Sequence, residues 1–561
     1  MEKLHRRQVL KLLSAGGVSL YFAPYISRAY AAESPIDRWL ASVSPIDRSL
    51  AEKAPAVFFA DDPVRAHAIL WDKKAFLAKQ AALPAPAEKA KVVIIGGGMA
   101  GLLTAFQLRK HKPIVLEQAA RFGGNCKGQS WRGIDYALGA AYICEPEEES
   151  DISVLLKELG VLEKGKIKEE EDPVAIGGKV FNAFWSGESV GDDQAAKQQF
   201  DTLRSYFEKV NEAEEISYPD IPLPEDDEEV RQFVHELDGT NFRAHLESLV
   251  GGKLHPHIET AIEHYCWSSF GASAAEISAA CGLNFYAAEF SNLVVFPGGN
   301  AGIIERVVGR LASELPRECL RTNALVYDVK VSADGATVSY QDESGKSVAI
   351  KADYVVMACP KFVAAKLVDN FEPERLQAIA KLRYHGYLVA NVLLNCKSPD
   401  PFYDLYLMGE GNIDTSDVVA ATKKQKVTDV ILANYAQKSD KGTVLTLYRG
   451  MPYPASRAEL YLPDAYPGIR SQFQEQIERE ILPLLKLKKE DVVDLRIARW
   501  GHPLPVAAPG LIKDGVVDIL RKPFQDRVYF VEQDNWALPA FETSATEAIS
   551  WSAELSKKLG A

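Results

Sequence analysis

The sequence predicts an α/β protein with two domains: one built on a discontinuous central parallel sheet carrying a β-meander, and a second α+β domain of mixed sheet and helices. Three observations lead there. The β-branched run Lys91–Ile95 stops at Gly96, Gly98 and Gly101, and a helical apolar pattern (Leu102, Ala105, Phe106, Leu108) follows at once. Pro113 ends that pattern, so Ile114–Leu116 can form a second strand, closed by Glu117. Much later, short alternating or β-branched runs separated by Asp-Gly and Ser-Gly turns read as a meander returning to the same sheet.

The first unit carries chemistry as well as shape. Glycines in G-x-G-x-x-G spacing between a strand and a helix allow a tight turn. They also let a diphosphate approach backbone N–H groups at a helix N-terminus, where the dipole favours negative charge. Glu117 falls about 20 residues after the first glycine, where a Rossmann unit needs a carboxylate for ribose hydroxyls. Strand, glycines, helix, strand and acid in that order predict a Rossmann-like dinucleotide-binding domain, with Gly96, Gly98, Met99, Ala100, Gly101, Glu117 and Gln118 at the ligand. Arg121-Phe122-Gly123-Gly124, directly after the acid, resembles the RxGG motif of two-dinucleotide-binding-domain flavoproteins. Within that group the chain resembles the flavin amine oxidases, from Lys91 to the C-terminus. The resemblance implies FAD as cofactor and adds Arg121, Gly123 and Gly124 to its site.

The totals agree with an enzyme of this size. At 561 residues the chain exceeds one ordinary core, and 47% hydrophobic with 25% charged residues is a globular composition. A net charge of -13 argues against nucleic acid as partner. It is compatible with a cationic substrate. Seven scattered cysteines (126, 144, 266, 281, 319, 359, 396) contain no CxxC pair, which predicts buried thiols and neither a zinc site nor a disulfide framework. His255, His257 and His264 cluster around Pro256 without a recurring ligand spacing, so no metal is expected.

In chain order, residues 1–32 resemble a twin-arginine export signal: Arg6-Arg7, the apolar stretch Leu12–Ala23, then Ala29-Tyr30-Ala31. That stretch is too short to span a bilayer. The resemblance implies passage through the twin-arginine translocase and a periplasmic or otherwise exported protein. Residues 33–90 read as a helical extension and linker, in which Ser-Pro-Ile-Asp-Arg occurs twice, at 34–38 and 44–48, each copy reading as a helix start. Next come the first FAD-binding segment (91–144) and a helical, acidic first segment of the substrate domain (145–290). Its charge runs are expected to be solvated faces. The second FAD-binding segment (291–375) contains the Pro297-Gly298-Gly299 turn and Val326, which the resemblance places at the adenine side. The second substrate-domain segment (376–499) has strands Tyr387–Leu394, Val430–Asn434 and Thr443–Tyr448 and a helix Gly468–Leu485. The last FAD-binding segment (500–561) ends in a helix Phe541–Leu559, implied to aim its N-terminus at the flavin. Gln533 and Ala545 complete the implied cofactor positions, although Val531-Glu532-Gln533-Asp534-Asn535-Trp536 stands where the family has Ala-Gly-Glu or Ala-Gly-Asp, and Ser544 where it has glycine.

The family's chemistry is oxidation of an amine by hydride transfer from its α C–H, with oxygen, a quinone or a cytochrome as electron acceptor. The resemblance implies catalytic roles for Lys366, six residues past Pro360, as the lysine that holds a water at the flavin, and for Phe541 as one of two rings around the amine. Gly510 or a nearby small residue stands where the second ring is usual, and Trp500 is a substitute for it. Trp536 is another. No cysteine occurs in Pro505-Val506-Ala507-Ala508-Pro509-Gly510, which implies non-covalent FAD. Two other readings stay open. One is an amino-acid oxidase or C–C desaturase of the same fold, for which Arg383 or Arg449 would hold a carboxylate. The other is a flavin-holding subunit without turnover.

Overall fold

Glu88–Ile95 is the hub of a seven-stranded sheet in the order 320–321, 114–116, 88–95, 347–357, 335–341, 325–332, with Val528–Phe530 pairing alongside Val355–Met357. A computed structural model describes residues 34–560 except 80–82, 214, 400–401, 452 and 454–455; the stretch expected to be an export signal lies outside the described residues. Val92, Val93 and Ile94 are fully buried between two parallel neighbours, which is why the strand reads as an unbroken apolar run. Its start differs from expectation: Glu88–Ala90, assigned to the linker, pairs with Ile350–Ala352. The two runs expected at 347–350 and 354–358 are one strand, Ser347–Met357, whose first half closes the meander and whose second half lies in the parallel sheet.

The substrate-side sheet has eight strands, in the order 179–181, 174–176, 406–407, 429–432, 443–451, 384–394, 492–505, 58–60. Tyr384–Leu394 is buried along its whole length, as a central strand covered on both faces must be. Helix Ala465–Gln476 covers one face, where Phe473 packs with Leu388 and Leu447, and it runs on through a π turn, Ile477–Ile481, into Leu482–Leu484. Two groups of strands depart from the sequence reading. Val174–Ile176 and Lys179–Phe181 lie in a stretch expected to be helical, and Phe58–Ala60 comes from the leader and pairs in parallel with Ile497–Arg499. Helices Glu228–Asp238, Phe242–Val250, Pro256–Phe270 and Ala279–Ala288 fill the region expected to be helical.

The two copies of the pentapeptide adopt different structures. In the first, Ser34 Oγ accepts from the Asp37 amide (3.1 Å) and Asp37 returns the bond to the Ser34 amide, a reciprocal cap on helix Pro35–Val43. That helix forms its own unit by internal contacts, and Ser44–Ala561 forms the other. In the second copy the expected helix is replaced by a strand, Ile46–Asp47, pairing in parallel with Gly128–Gln129. Ile46 is 2% exposed there, so tertiary burial overrides the local capping signal.

Among the described residues no helix is long and apolar enough to cross a membrane. The charge runs are largely exposed, but Lys168 and Asp172, which flank Glu169-Glu170-Glu171, are buried. The seven cysteines are free thiols, four of them buried.

Candidate active site

The glycine turn is built by close approaches. A Cβ on Gly96 would lie 2.1 Å from the Ala358 carbonyl oxygen, and one on Gly101 would lie 2.1 Å from the Gly96 carbonyl oxygen, so neither position accepts a side chain. Gly98 differs: its φ of -83° suits any residue, and a Cβ there would meet protein atoms only at ordinary contact distance, Gly124 Cα at 3.5 Å being the nearest. The protein itself therefore leaves room for a side chain at Gly98. Met99 and Ala100 open the helix Met99–Gln107, whose first-turn amides have no helical acceptor.

Glu117 is clamped beside this turn, accepting from the Gly97 amide (2.7 Å) with one oxygen and the Ala119 amide (2.8 Å) with the other. Each carboxylate oxygen keeps a further acceptor site for ribose hydroxyls. The Gly123 amide donates to the Gly97 carbonyl (2.8 Å), which lays the Arg121–Gly124 turn against the glycine turn; Gly123 and Gly124 both have positive φ. Glu117 also pairs with the chain before Val326: its amide donates to the Arg321 carbonyl, and its carbonyl accepts from the Ala324 amide, both at 2.8 Å. Val326 is buried two residues on, while Gln118 is exposed.

The C-terminal pieces arrive at the same place. The Pro503 carbonyl accepts from Asn125 Nδ2 (2.9 Å) and Gln533 Nε2 (2.7 Å), so one oxygen ties together the end of the glycine-rich turn, the stretch after Trp500 and the last turn of chain before the final helix. Helix Phe541–Leu559, with Ala545 fully buried, packs along helix Met99–Gln107. Trp500 is buried and donates through Nε1 to the Leu138 carbonyl (2.7 Å); Phe541, half-buried, opens the final helix. Around them the stretch Gly133–Ala140 is held carbonyl by carbonyl. Ala137 accepts from Asn391, Leu138 from Trp500, Gly139 from Tyr448 (2.6 Å) and Ala140 from the Asn300 amide.

FAD fits these residues on three counts. Gly98 is open on the side where only a ligand would meet its Cβ, Glu117 keeps acceptor capacity, and Thr543 Oγ1, on the first turn of the final helix, is a buried hydroxyl without a protein partner.

Lys366 does not join this set. Helix Lys361–Leu367 buries Lys361, Ala364 and Leu367, an i, i+3, i+6 face, and Lys366 lies off that face in solvent. The buried lysine is Lys361, 1% exposed, whose Nζ donates to Glu532 and Asn535 while its amide donates to Asp534 (2.9 Å). Tyr384 OH also donates to Asp534, and Glu532 accepts the rest of its bonding from the Asp534 amide (2.7 Å). Burial, reinforced by the Asp534 charge, pushes the Glu532 carboxyl up to about 8 despite the pull of Lys361. Lys366→Met is accordingly expected to leave flavin reduction and reoxidation rates unchanged, as stopped-flow absorbance in each half-reaction would record. A slowed half-reaction would contradict the exposed position.

A second polar group, missed from sequence, lies on the face of the substrate sheet toward Gly139. Tyr448, whose hydroxyl holds the Gly139 carbonyl, meets Tyr387 edge-on at 5.6 Å. Tyr387 OH is 3.1 Å from Ser268 Oγ, and Ser268 donates to Asp429 (2.9 Å). The Asp404 amide donates to Asp172 (3.2 Å), Lys168 pairs with Asp172 (2.6 Å), and Tyr265 donates to Glu289 (2.9 Å). Burial raises Asp429 to about 6 and Glu289 to about 7, and burial together with Asp429 and Asp172 holds Asp404 well above the usual carboxylate range. Asp404 Oδ1 and Tyr403 OH are buried without partners. The signal was present in the sequence as lone aspartates beside apolar runs, Asp404 before Leu405 and Asp429 before Val430.

Of the three histidines, His255 and His257 meet edge-on at 5.0 Å, and each of the three has its own partner. His255 caps helix Pro256–Phe270, His257 meets Ser189, and His264 meets the Leu407 carbonyl. Among the described residues no group of three or more His, Cys, Asp or Glu could hold a metal ion.

Comparison with known proteins agrees with this geometry. Residues 99–454 match the model of the family described as flavin containing amine oxidoreductase. Oxidoreductase PigB of Serratia sp. (strain ATCC 39006) is 23% identical over 514 residues, 82% of this chain and 74% of that protein. The peroxisomal N(1)-acetyl-spermine/spermidine oxidase of Bos taurus is 23% identical over 314 residues, 54% of this chain and 60% of that protein. A double mutant of putrescine oxidase superposes with a TM-score of 0.60 at 17% identity, covering 83% of this chain and 99% of that one. The glycine turn, the clamped Glu117 and a match over more than half the length lead to one conclusion: this chain is an FAD-dependent oxidoreductase and belongs to the flavin-containing amine oxidoreductase family.

Proposed function

We propose that this protein is an exported amine oxidase or dehydrogenase acting on a primary or secondary amine, a polyamine or an aromatic amine, with FAD held non-covalently. FAD, when bound, accepts the hydride from the substrate's α C–H. The observation that carries the substrate class is the buried group of Asp172, Asp404, Asp429 and Glu289, to which a single ammonium, Lys168, is hydrogen-bonded among the described residues. Such an excess of buried carboxylate must take up protons or a cation. An amine supplies that cation, and Tyr387 and Tyr448 connect the group to the turn at Gly139. Oxygen, a quinone or a cytochrome is the proposed acceptor, and the twin-arginine translocase the proposed export route.

The amino-acid reading has less support. Arg383 is exposed and bonds Tyr453 OH, and Arg449 lies against Phe473 and Gln472 on the opposite face of the substrate sheet. The reading of a flavin-holding subunit or binding protein without turnover rests on the altered Val531–Trp536 stretch and on Ser544; in the first of these Lys361 supplies the partner that Glu532 requires.

The test is Asp429→Asn and Asp404→Asn in the FAD-loaded enzyme. Each is expected to raise KM for a polyamine by roughly 10–100-fold, the worth of a hydrogen bond to a charged group. Wild-type KM is expected to fall as pH rises through 6 to 7, since Asp429 and Glu289 then ionise and hold a cation better. Unchanged KM in both variants would remove the carboxylates from substrate recognition.

A further inference from the structure

The second Ser-Pro-Ile-Asp-Arg copy lies outside the family match, which begins at residue 99, yet it sits against the turns that hold FAD. Arg121 donates to the Ser44 carbonyl (3.1 Å) and to Asp47 (3.0 Å). Pro45 and Ile46 wedge between two glycine turns. Pro45 Cβ would stand 3.2 Å from a Cβ on Gly123, and Ile46 Cδ1 2.9 Å from one on Gly298. Arg48 pairs with Asp135 (2.6 Å), on the strand leading to Gly139, and with Glu305 (2.5 Å), on the helix after Gly298-Gly299; Ser44 Oγ donates to the same Glu305 (2.8 Å).

From there the leader keeps to the cofactor's surroundings. The Arg496 guanidinium donates to the Ala51 carbonyl, and Asp61 accepts from the Gly501 amide (3.0 Å), two residues before Pro503. Arg65 donates to the Asn323 carbonyl (2.9 Å), beside Ala324, which bonds Glu117. Lys73 pairs with Asp328 (2.8 Å), two residues after Val326. Besides burying Ile46, this segment directs charged groups at the backbones and acids of turns that must stay rigid to hold a dinucleotide.

We infer that residues 44–48 are a clasp that positions Arg121 and the turns at Gly123 and Gly298, and so slows the release of FAD. Asp47 and Arg48 are positioning residues: they act on the cofactor through Arg121 and through the two turns. The clasp accounts for the divergence of two identical pentapeptides, since only the second meets Arg121, Asp135 and Glu305.

The experiment measures FAD release from the loaded full-length protein, as the rise in free-flavin fluorescence on dilution. The variants are Asp47→Asn, Asp47→Glu and, as a control, Arg132→Ala, which removes one of two side-chain donors to Glu52, farther along the same segment, without touching Arg121. Asp47→Asn is expected to release FAD tenfold faster or more, with a thermal midpoint in the FAD-free form no lower than that of Arg132→Ala, and Asp47→Glu is expected to recover some of the slow release. Release of FAD from Asp47→Asn at the wild-type rate would overturn the clasp. Equal acceleration in Arg132→Ala would also overturn it, since general loosening of the leader would then suffice.

Discussion

Gly98→Val yields a folded, colourless protein. The backbone at Gly98 has φ -83° and ψ -169°, an extended conformation open to branched residues, and the nearest protein atom to a new Cβ is 3.5 Å away. The isopropyl group instead fills the space over the first-turn amides of helix Met99–Gln107, where a diphosphate must come within hydrogen-bond distance. Affinity for FAD is expected to fall by a factor on the order of 100 or more, ~3 kcal/mol, with the far-ultraviolet circular dichroism of the wild type. Gly101→Ala gives the contrasting outcome. Its Cβ would stand 2.1 Å from the Gly96 carbonyl oxygen, so the strand-to-helix junction itself fails and insoluble protein is expected. A yellow, fully loaded Gly98→Val protein would contradict the cofactor assignment at this turn.

Lys361→Met is the second large effect, and it acts on stability. Lys361 is 1% exposed and is the ammonium that faces Glu532, which itself lies against Asp534. Where Glu532 is ionised, removing one partner of the buried pair costs about 3–5 kcal/mol, because the other charge is left uncompensated. The pH dependence has a definite sign. Glu532 is raised to about 8 in the folded protein, so its contribution to stability is fully present below the ordinary glutamate range and is lost as pH rises through about 8. Lys361→Met removes the group that moderates this loss, so its thermal midpoint is expected to fall further below wild type at pH 9 than at pH 6. Glu532→Gln added to it is expected to restore some of the difference. Equal deficits at both pH values would mean that the pair is not ionic.

These two sites differ in how far the sequence discloses them. The glycine turn was readable because each step is local: β-branched residues make a buried strand, glycines permit the close approaches to Ala358 and Gly96, and Glu117 sits where its carboxylate can meet the Gly97 amide. Lys361 was also within reach of local reasoning. Counting six residues from Pro360 led to Lys366, whereas the helical period joining Ala364 and Leu367 points to Lys361. The second pentapeptide was not readable at all, since its sequence equals the first and only the partners Gly128, Arg121 and Glu305 make it a strand. Strand Phe58–Ala60 was not readable for the same reason, being three residues long and dependent on a neighbour distant in sequence. Val174–Ile176, by contrast, pairs with Lys179–Phe181 across the Gly177-Gly178 turn, a local hairpin signal inside a stretch read as helical and acidic. The carboxylates of the substrate side come from strands and helices far apart in the chain, and only their assembly shows that four acids share so little compensating charge.

For the proposed activity, an amine must reach the flavin across a face lined by Tyr387 and Tyr448 and flanked by buried acids. Anaerobic mixing of the FAD-loaded protein with spermidine, tyramine and a panel of L-amino acids, followed at the flavin absorption band, tests this most directly. Bleaching by one of the amines and none by the amino acids is the predicted result. Bleaching by amino acids alone, or an oxidised spectrum with every compound, would contradict it.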